Sequence, residues 1–537
     1  MKHFSKLLLS AIICSFLFGC KQKQTPPSPL ETPTARPHVI LIMSDQQRGD
    51  AIGLVNSNVL SPNIDKLAED GVWFKNGYST VPSCTPARSV LMTGLSPWHN
   101  GMLGYAQKTA VYRKHEMSQL LRDAGYYTCG IGKMHWTPQR YKRGFHELYL
   151  DESGRVEDPN FISDYRAWFK EQTNDSLDPD VTGIGWNENR GGIYKLPENL
   201  HPTTWTGQKA VNFIKSYNHK EPLFLKVSFA RPHSPYDPPK RYLDMYKDTP
   251  IAAPIKSDWS TPFKDYNSSK KGVKSSGVSS VSGYDIAFGD MGDAFAINSI
   301  KHYYANITFI DDQVGEIIKT LKDKNMYDNA VIIFLSDHGD MLGDHYHWRK
   351  TYAYQGSANV PFILKYPLQK DAYSVKNGTQ MEQVVELRDV LPTFLDAAEA
   401  SIPNDLDGKS LLNLVKQKNP EWREYIDLEH AQVYDERNYW TGLTDGTWKY
   451  IFFPFDGSEQ LFNLKNDPLE QQQLAGLDQY ADKLLEWRKK MGSHLEERGA
   501  EYVANGIPIK RKNILFSPHM PSNDYGDYQS FLDKENK

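Results

Sequence analysis

Four short hydrophobic runs in the chain each end in residues that can bind a metal or transfer a proton. They are 39–43 (VILIM), 126–132 (YYTCGIG), 223–229 (LFLKVSF) and 330–335 (AVIIFL). Continuous runs of this length, rich in β-branched residues, are typical of strands buried on both faces of a parallel sheet. Patterns typical of helices precede two of the runs, at 117–125 and 300–324. This alternation predicts an α/β fold with a doubly wound, mainly parallel sheet.

Polar residues stand at or just after the end of every run. They are Asp45 and Gln46, Lys133 and His135, His233, and Asp337 and His338, in chain order. In open α/β sheets, ligand-binding and catalytic groups gather at the carboxyl ends of the strands. We therefore expect these side chains to meet at one edge of the sheet.

The composition changes after Leu411. Residues 440–454 and 459–473 are typical of two or three antiparallel strands with turns, and a helical pattern follows at 480–498. We predict a catalytic domain at 37–415 and a smaller C-terminal α+β domain at 416–537, which a chain of 537 residues is long enough to form.

Residues 258–283 are rich in Ser, Lys and Gly. This composition predicts a long surface insertion in the catalytic domain, either mobile or folded over a cleft.

The first 19 residues have the pattern of an export signal. Lys2 and Lys6 precede an apolar run, 7–18, that is shorter than the ~20 residues a membrane-spanning helix needs. Residues 17–20 (LFGC) resemble a bacterial lipobox, which implies cleavage before Cys20 and attachment of lipid to its sulfur. The alternative is an ordinary signal peptide with an incidental cysteine.

The polar, proline-rich stretch at 20–36 predicts a flexible tether between the lipid and the fold. Together with the lipobox it predicts a lipoprotein anchored to a membrane through its N-terminal lipid, in the bacterial periplasm or at the cell surface. The formal net charge is −4 and becomes more negative when Lys2 and Lys6 leave with the signal. We therefore expect no nucleic-acid partner, and any anion must bind locally.

The cysteines raise a question of pairing. If Cys14 leaves with the signal and Cys20 carries lipid, Cys84 and Cys129 remain. Counting alone favours a disulfide between them in an oxidising compartment. The sequence around Cys84 favours a different fate for its thiol.

Residues 84–94 (CTPARSVLMTG) resemble the C-x-P-S/A-R…L-x-T-G signature of the type I sulfatases, a family of the alkaline phosphatase superfamily. Segments 125–135, 227–239 and 336–345 are similar to further motifs of that family and follow in its order. The resemblance implies an alkaline-phosphatase-like fold and sulfatase activity. It also implies that a formylglycine-generating maturation enzyme oxidises Cys84 to Cα-formylglycine, which consumes the thiol.

The same resemblance implies a Ca²⁺ site, with Mg²⁺ as the alternative ion. Its ligands would be Asp45, Gln46, residue 84, Asp337 and His338. Mostly hard ligands of this kind suit these ions better than zinc. One common family pattern has Asp and Asn in place of Gln46 and His338, and the substitution also resembles choline sulfatases and phosphonate monoester hydrolases. Specificity for sulfate alone is therefore left open.

The family resemblance further implies roles in catalysis. A sulfate ester repels a nucleophile, so its site needs a cation, fixed donors and a strong nucleophile. One hydroxyl of the hydrated aldehyde attacks sulfur with Arg88 nearby. His233 and Lys350 protonate the leaving oxygen, and His135 takes the proton of the second hydroxyl to release sulfate. The other lysine of the motifs, Lys133, joins Lys350 in binding the sulfate oxygens.

Substrate specificity should come from residues around the pocket. Candidates are Trp186, Trp205, Trp348, Arg349, Tyr439, Trp440 and His430, because aromatic faces stack on sugar rings and arginine pairs with anions. His99 matches a family position that we assign to the layer behind the site, and the alternative is a histidine that caps a helix or packs in the fold. Export and lipid anchoring favour a sulfated glycan, with an aryl sulfate also possible as substrate.

Two alternatives remain open. One is a phosphonate monoester or phosphodiester hydrolase on the same fold. The other is a lipoprotein that binds sulfated glycans without turning them over. The presence of Lys133, His135, His233 and Lys350 argues against a pure binding protein.

Overall fold

The computed structural model describes residues 36–104, 115–156, 159–265, 283–367, 373–416, 421–431, 433 and 438–511. The predicted signal peptide, the lipidation site Cys20 and the tether up to residue 35 lie outside the described residues. Most of the 258–283 insertion and residues 512–537 lie outside them as well.

Sixteen strands are present in the described residues. They are β1 (His38–Asp45), β2 (Val72–Phe74), β3 (Gly77–Tyr78), β4 (Tyr127–Gly132), β5 (Glu147–Leu150), β6 (Leu223–Pro232), β7 (Ala330–Ser336), β8 (Phe362–Lys365), β9 (Thr379–Met381), β10 (Val385–Glu386), β11 (Ile426–His430), β12 (Trp440–Thr444), β13 (Trp448–Phe453), β14 (Ser458–Asn463), β15 (Val503–Ala504) and β16 (Ile507–Pro508).

Twelve α-helices are present in the same part of the chain. They are α1 (Pro62–Glu69), α2 (Cys84–Thr93), α3 (Pro97–Asn100), α4 (Met117–Asp123), α5 (Asp164–Thr173), α6 (Pro202–Ser216), α7 (Lys240–Asp244), α8 (Asp293–Asp323), α9 (Gln355–Ala358), α10 (Val390–Ala397), α11 (Leu412–Lys416) and α12 (Ala481–Leu495).

The four hydrophobic runs form the centre of an eight-stranded sheet with the order β5-β4-β6-β1-β7-β8-β2-β9. The first five strands in this order are mutually parallel. Strand β8 is antiparallel to both of its neighbours, and β9 is parallel to β2. Only β8 therefore runs against the others, which confirms the predicted mainly parallel sheet.

Helices cover both faces of this sheet. Val39, Leu41 and Met43 of β1 belong to a core cluster that also contains residues of α2, α4 and α10. The alternate residues Ile40 and Ile42 belong to a second cluster with residues of α1, α6 and α8. Because side chains alternate along a strand, a run that is apolar at every position needs such a cover on each side. The doubly wound arrangement is confirmed.

The C-terminal region forms an antiparallel sheet of four strands in the order β11-β12-β13-β14. Helix α12 packs on it through Trp487 and Met491. The sequence pattern predicted two or three strands and missed β11, whose sequence IDLEH alternates apolar and acidic residues. Its acids are buried because Asp427 pairs with Arg388 and Glu429 pairs with Arg498.

From Arg36 onward the chain packs as one compact unit, and the proposed domain boundary at 415 stays a prediction. None of the helices in the described segments is long and apolar enough to cross a membrane.

The first residues of the predicted insertion are built into the fold. Asp258–Phe263 form a 3-10 helix that begins at a capping box of Ser257 and Ser260. The ring of Trp259 packs 4.8 Å from that of Tyr354, and its indole N–H donates to the carbonyl of Glu470.

Helix α1 depends on a carboxylate from another helix, α8. Its N-cap Ser61 makes no capping hydrogen bond, and Asp311 instead accepts from the amides of Asn63 and Ile64 at 3.0 and 2.8 Å. We expect Asp311→Ala to lower the free energy of unfolding by about 1–2 kcal/mol, measured by chemical denaturation. The matched control is Asp323→Ala on the exposed end of α8, with an expected change of at most about 0.5 kcal/mol. Equal effects of the two substitutions would contradict the capping role.

Candidate active site

The carboxyl ends of four adjacent strands bring the predicted site residues together. Asp45 ends β1 and lies opposite Pro232 of β6, while Ser44 lies opposite Ser336 of β7. This register places His233 and Asp337, the residues that follow those two strands, on either side of Asp45. Lys133 follows β4, the next strand beyond β6.

Cys84 is the first residue of α2 and is completely buried. Its Sγ lies 3.1 Å from His338 Nε2 and 3.4 Å from Lys350 Nζ. Burial alone would raise the pKa of the Cys84 thiol, but the positive charges of Lys350 and His338 outweigh it and hold that pKa well below its usual value. The N-terminus of α2 favours negative charge at the same atom.

The disulfide alternative is excluded, because Cys84 and Cys129 are both free thiols. Cys129 lies inside β4, and burial raises the pKa of its thiol well above the usual value. The two thiols therefore sit in opposite environments: one favours a reactive anion, and the other favours an inert neutral group.

Arg88 lies one helical turn after Cys84 and joins the two central carboxylates. Its Nε donates to Asp337 Oδ2 at 2.8 Å, and its Nη2 donates to Asp45 Oδ2 at 3.1 Å. Lys133 Nζ lies 2.7 Å from the same oxygen of Asp45. Although burial opposes ionisation, Lys133 and the other nearby cations lower the pKa of Asp45 to about 2.

A divalent cation fits the donor atoms of this cluster. One ligand atom each from Asp45, Cys84, Asp337 and His338 lies within 4.8 Å of the others, and all four residues are buried. Two buried carboxylates with an imidazole and a position at residue 84 provide the mixed, oxygen-rich set that Ca²⁺ or Mg²⁺ can use. The predicted set of metal ligands is thus brought together, with Gln46 beside it.

Asp340 fixes the direction of the Gln46 amide. Asp340 Oδ2 accepts from Gln46 Nε2 at 2.6 Å, and Gln46 Oε1 accepts from Lys350 Nζ at 2.7 Å. Because a carboxylate can only accept, the NH₂ group must face Asp340, and the carbonyl oxygen must face the cluster. Gln46 also has a left-handed backbone, φ 70°, and its N–H donates to Asp337.

Lys350 and His233 form a second contact pair above Cys84. His233 Nε2 lies 2.7 Å from Lys350 Nζ, and His233 Nδ1 lies 2.9 Å from the carbonyl of Ser234. That carbonyl accepts, so the proton is on Nδ1 and Nε2 accepts from the ammonium group. The hydrogen bond between Lys350 and His233 therefore holds a proton close to residue 84.

His135 is held by a buried acid that the sequence did not reveal. The backbone N–H groups of Met134 and His135 donate to Glu152 Oε1 at 2.9 and 3.0 Å. This contact supports the left-handed turn at His135, φ 59°. Burial raises the pKa of Glu152 to about 7. Within the described residues, His135 Nδ1 is buried without a hydrogen-bond partner.

A family model described as Sulfatase matches residues 37–400, more than half of the chain. The chain belongs to the sulfatase family. It is a sulfuric ester hydrolase, and a second model, described as N-sulphoglucosamine sulphohydrolase, C-terminal, matches residues 343–497.

Two relatives support the assignment to the sulfatase family along most of their length. An arylsulfatase of Clostridium perfringens is 36% identical over 501 residues, which cover 90% of this chain and 100% of the relative. A choline-sulfatase of Rhizobium meliloti is 30% identical and covers 82% of this chain and 83% of the relative.

Solved structures show the alkaline-phosphatase-like fold. The phosphonate monoester hydrolase of Agrobacterium radiobacter matches with a TM-score of 0.71 and 24% identity, over 89% of this chain and 100% of that chain. A structure in complex with its substrate, D-glucosamine-2-N,6-O-disulfate, matches with a TM-score of 0.66 and 20% identity, over 86% and 98%.

The peripheral residues of this sulfatase lie apart from the cluster. His99, predicted behind the site, is partly exposed and lies within 3.0 Å of carboxylate oxygens of Asp407 and Glu497. These acids raise the pKa of His99 to about 9. The two ion pairs of His99 are with these acids, and neither acid is among the predicted catalytic or metal-binding residues.

The residues predicted to bind substrate are mostly buried. The Trp348 indole donates to the carbonyl of Gly289, His430 Nε2 lies 2.8 Å from Ser83 Oγ, and Arg349 pairs with Asp285 at 2.8 Å. His430 thus steadies the residue before Cys84 from the C-terminal sheet, and burial lowers the pKa of its ring to about 4. Direct contact of these three with substrate stays a prediction.

The remaining aromatic candidates are distributed over the fold. Trp205 belongs to α6, and its ring packs against that of Tyr165. Trp186 lies 5.9 Å from the Arg231 guanidinium. The hydroxyl of Tyr439 accepts from Arg511, and the indole of Trp440 donates to the carbonyl of Thr351.

Asp340 offers a test of how the sulfatase orients the amide of Gln46, a predicted metal ligand. In Asp340→Asn, an NH₂ group would face two donors, Gln46 Nε2 and the Tyr236 hydroxyl, and Gln46 would have to turn its oxygen away from the cluster. We expect Ca²⁺ affinity to fall by about 10–100-fold, measured by calorimetric titration. Asp344→Asn, which contacts Arg48 and the Ile255 amide, is the control. Unchanged affinity in Asp340→Asn would rule out this orienting role.

Proposed function

We propose that this sulfatase removes sulfate from a sulfated glycan by means of a formylglycine formed from Cys84. The observation that carries the proposal is the position of Cys84: unpaired, at the start of a helix, and within 3.4 Å of both His338 and Lys350. A thiol in this environment is set apart from the inert Cys129 in the same fold.

The charges around residue 84 suit an anionic ester. Arg88, Lys133 and Lys350 contribute three positive charges, while Asp45 and Asp337 contribute two negative ones. Lys133 lies 2.7 Å from Asp45, and Lys350 donates to both Cys84 Sγ and Gln46 Oε1. Fixed cations in a water-poor site stabilise the charge that develops on non-bridging oxygens during sulfuryl transfer.

The proposed reaction needs two groups beyond the standard side chains, a metal ion and an aldehyde at residue 84. A divalent cation held by Asp45, Gln46, Asp337 and His338 would supply a Lewis acid for a sulfate oxygen, and Ca²⁺ is our assignment. The hydrate of an aldehyde at position 84 would supply two hydroxyl groups: one as the nucleophile, and one whose loss of a proton would re-form the aldehyde and break its bond to sulfate. Arg88 orients both carboxylates of that set, and Asp340 orients Gln46.

Proton transfer is assigned to two separate groups. The Lys350–His233 pair, with its shared proton, protonates the oxygen of the departing alcohol. His135 accepts the proton of the second hydroxyl, and Glu152 holds the backbone of His135 for this task. The group that protonates the leaving alcohol therefore includes His233, which follows β6. The group that promotes release of sulfate is His135, which follows β4.

A glycan substrate is supported by relatives that act on carbohydrate. An N-acetylglucosamine-6-O-sulfatase of Bacteroides thetaiotaomicron is 25% identical and covers 96% of this chain. An ulvan-active sulfatase of Formosa agariphila is 26% identical over 97% of it. We further propose export as a lipoprotein through Cys20, which would bring the enzyme to extracellular polysaccharide.

A second candidate is hydrolysis of phosphonate monoesters or phosphodiesters. It is favoured by Gln46 and His338, which together leave this site less negative than a set of four acidic or amide oxygens. The fold of the phosphonate monoester hydrolase noted above is consistent with that possibility. Both ester classes are monoanions, so charge alone does not separate them.

Cys84→Ser tests the nucleophile. The substitution keeps nearly the same side-chain size but removes the thiol from which the proposed aldehyde would form. We expect the variant to fold and to lose turnover of 4-nitrophenyl sulfate by a factor on the order of 10³ or more. Cys129→Ala, at the other free thiol, should keep its turnover. Mass spectrometry of the wild-type peptide that spans residue 84 should reveal the aldehyde, and a persistent thiol in active enzyme would refute the mechanism.

Sulfate and phosphonate esters test the specificity. A sulfate monoester presents three non-bridging oxygens to Lys133, Lys350 and the metal, whereas a phosphonate or phosphodiester places an organic group among these cations. We expect kcat/KM for 4-nitrophenyl sulfate to exceed that for 4-nitrophenyl phenylphosphonate and bis(4-nitrophenyl) phosphate by about tenfold or more. The reverse order, in protein shown to carry formylglycine, would establish the second candidate instead.

A further inference from the structure

An aromatic cavity of about 290 Å³ lies between the catalytic part of the chain and the C-terminal sheet. Its walls include Trp259, Phe263, Phe288, Tyr352, Trp440 and Phe453. The volume is near the lower end of pockets that hold small ligands, and such pockets are commonly apolar with a few polar groups. None of these residues was needed for the proposed chemistry at residue 84.

The aromatic side chains around the cavity are held in place by contacts with one another and with the backbone. Phe263 lies 5.3 Å from Phe288 and 4.5 Å from His347, measured between ring centroids. The indole of Trp440 is anchored to the carbonyl of Thr351, and that of Trp259 to the carbonyl of Glu470. The aromatic walls are therefore held in place by the fold and present fixed apolar faces to a ligand.

The polar lining combines two carboxylates, Asp456 and Glu459, with neutral groups that can donate or accept, among them the amides of Asn438 and Gln473. His347 Nδ1 donates to the carbonyl of His345, and burial lowers the pKa of the ring to about 3. Its Nε2 is then a neutral acceptor. At the mouth, Asp456 contributes an exposed carboxylate, and Ser458 and Gln460 contribute further polar groups.

The described lining contains no lysine and no arginine. A sulfate group would therefore meet two carboxylates and neutral polar groups here, with no cation in the described lining to bind it. A ring with apolar C–H faces and uncharged hydroxyl groups fits this lining better than a sulfate group does. Its faces can pack on the aromatic walls, and its hydroxyls can donate to the acceptors. That combination describes an unsulfated pyranose.

The cavity is connected to the nucleophile through one residue. The N–H of Thr351 donates to the carbonyl of Pro82 at 2.9 Å, two residues before Cys84. Thr351 also accepts from Trp440 of the cavity wall and precedes Tyr352. Thr351 thus links the cavity wall to the segment that leads into Cys84, although the two sites differ in charge.

We propose that this cavity binds an unsulfated pyranose unit of the substrate, separate from the sulfated unit at residue 84. The inference rests on the proposed glycan substrate, and it assigns a second binding site to it. Weak, millimolar binding is expected for a single sugar ring, since one ring has few contacts. In a longer glycan, the two sites together would strengthen binding by linkage.

Binding of free sugars to the purified full chain tests the proposal. The probes are glucose, galactose, fucose and N-acetylglucosamine, observed by saturation-transfer NMR and titrated for Kd. Ser458→Trp places a bulky ring at the exposed mouth, and Phe453→Ala removes a wall. We expect at least one sugar to bind and both substitutions to weaken it by about tenfold. The control is Trp448→Ala, which lies outside the cavity at the opposite end of β13 from Phe453 and should leave Kd unchanged.

Turnover of 4-nitrophenyl sulfate in the same samples separates this proposal from the proposed function. That small substrate has no second sugar ring to occupy the cavity, so its kcat/KM should stay the same in all three variants. Thermal melting verifies that each variant is folded. If none of the four sugars binds the parent protein, or if binding persists in both cavity variants, the proposal is overturned, whatever the sulfatase activity.

Discussion

The bridge that Arg88 forms between Asp45 and Asp337 is the interaction on which the rest of the site depends. Two carboxylates at the ends of adjacent strands would repel each other in a buried position. A planar guanidinium donates to the two carboxylates from separate nitrogens, Nε and Nη2, in a fixed geometry that the single ammonium nitrogen of a lysine does not provide. Arg88 comes from the same helix face as Cys84, so the position of residue 84 relative to the carboxylates is fixed by one helical turn.

The central strands and the predicted site residues could be located from sequence because both obey local rules. Runs that are apolar at every position predict strands covered on both sides, and β1, β4, β6 and β7 are such strands. Their polar ends then meet because parallel neighbours end at one edge of the sheet. Helix α8 was also predictable from its period, although it begins at Asp293, before the predicted start.

The remaining features depend on contacts that are distant in sequence. Strand β11 escaped notice because its acidic residues are neutralised by Arg388 and Arg498 from other elements. Glu152 and Asp340 support His135 and Gln46 through hydrogen bonds that no spacing reveals, although Asp340 stands only two residues after His338. His99 matched a motif, yet its place is set by Asp407 and Glu497. The aromatic cavity requires the C-terminal sheet to close it.

The complete burial of Cys84 has a consequence for the order of events in the life of the chain. Its side chain is 0% exposed, beneath His338 and Lys350 and behind the loop that His430 holds. Another enzyme cannot reach a sulfur atom in such a place once the sheet has assembled. The oxidation to formylglycine that we propose would therefore have to precede folding, and on that mechanism a host that lacks the modifying enzyme would produce a folded but inactive protein.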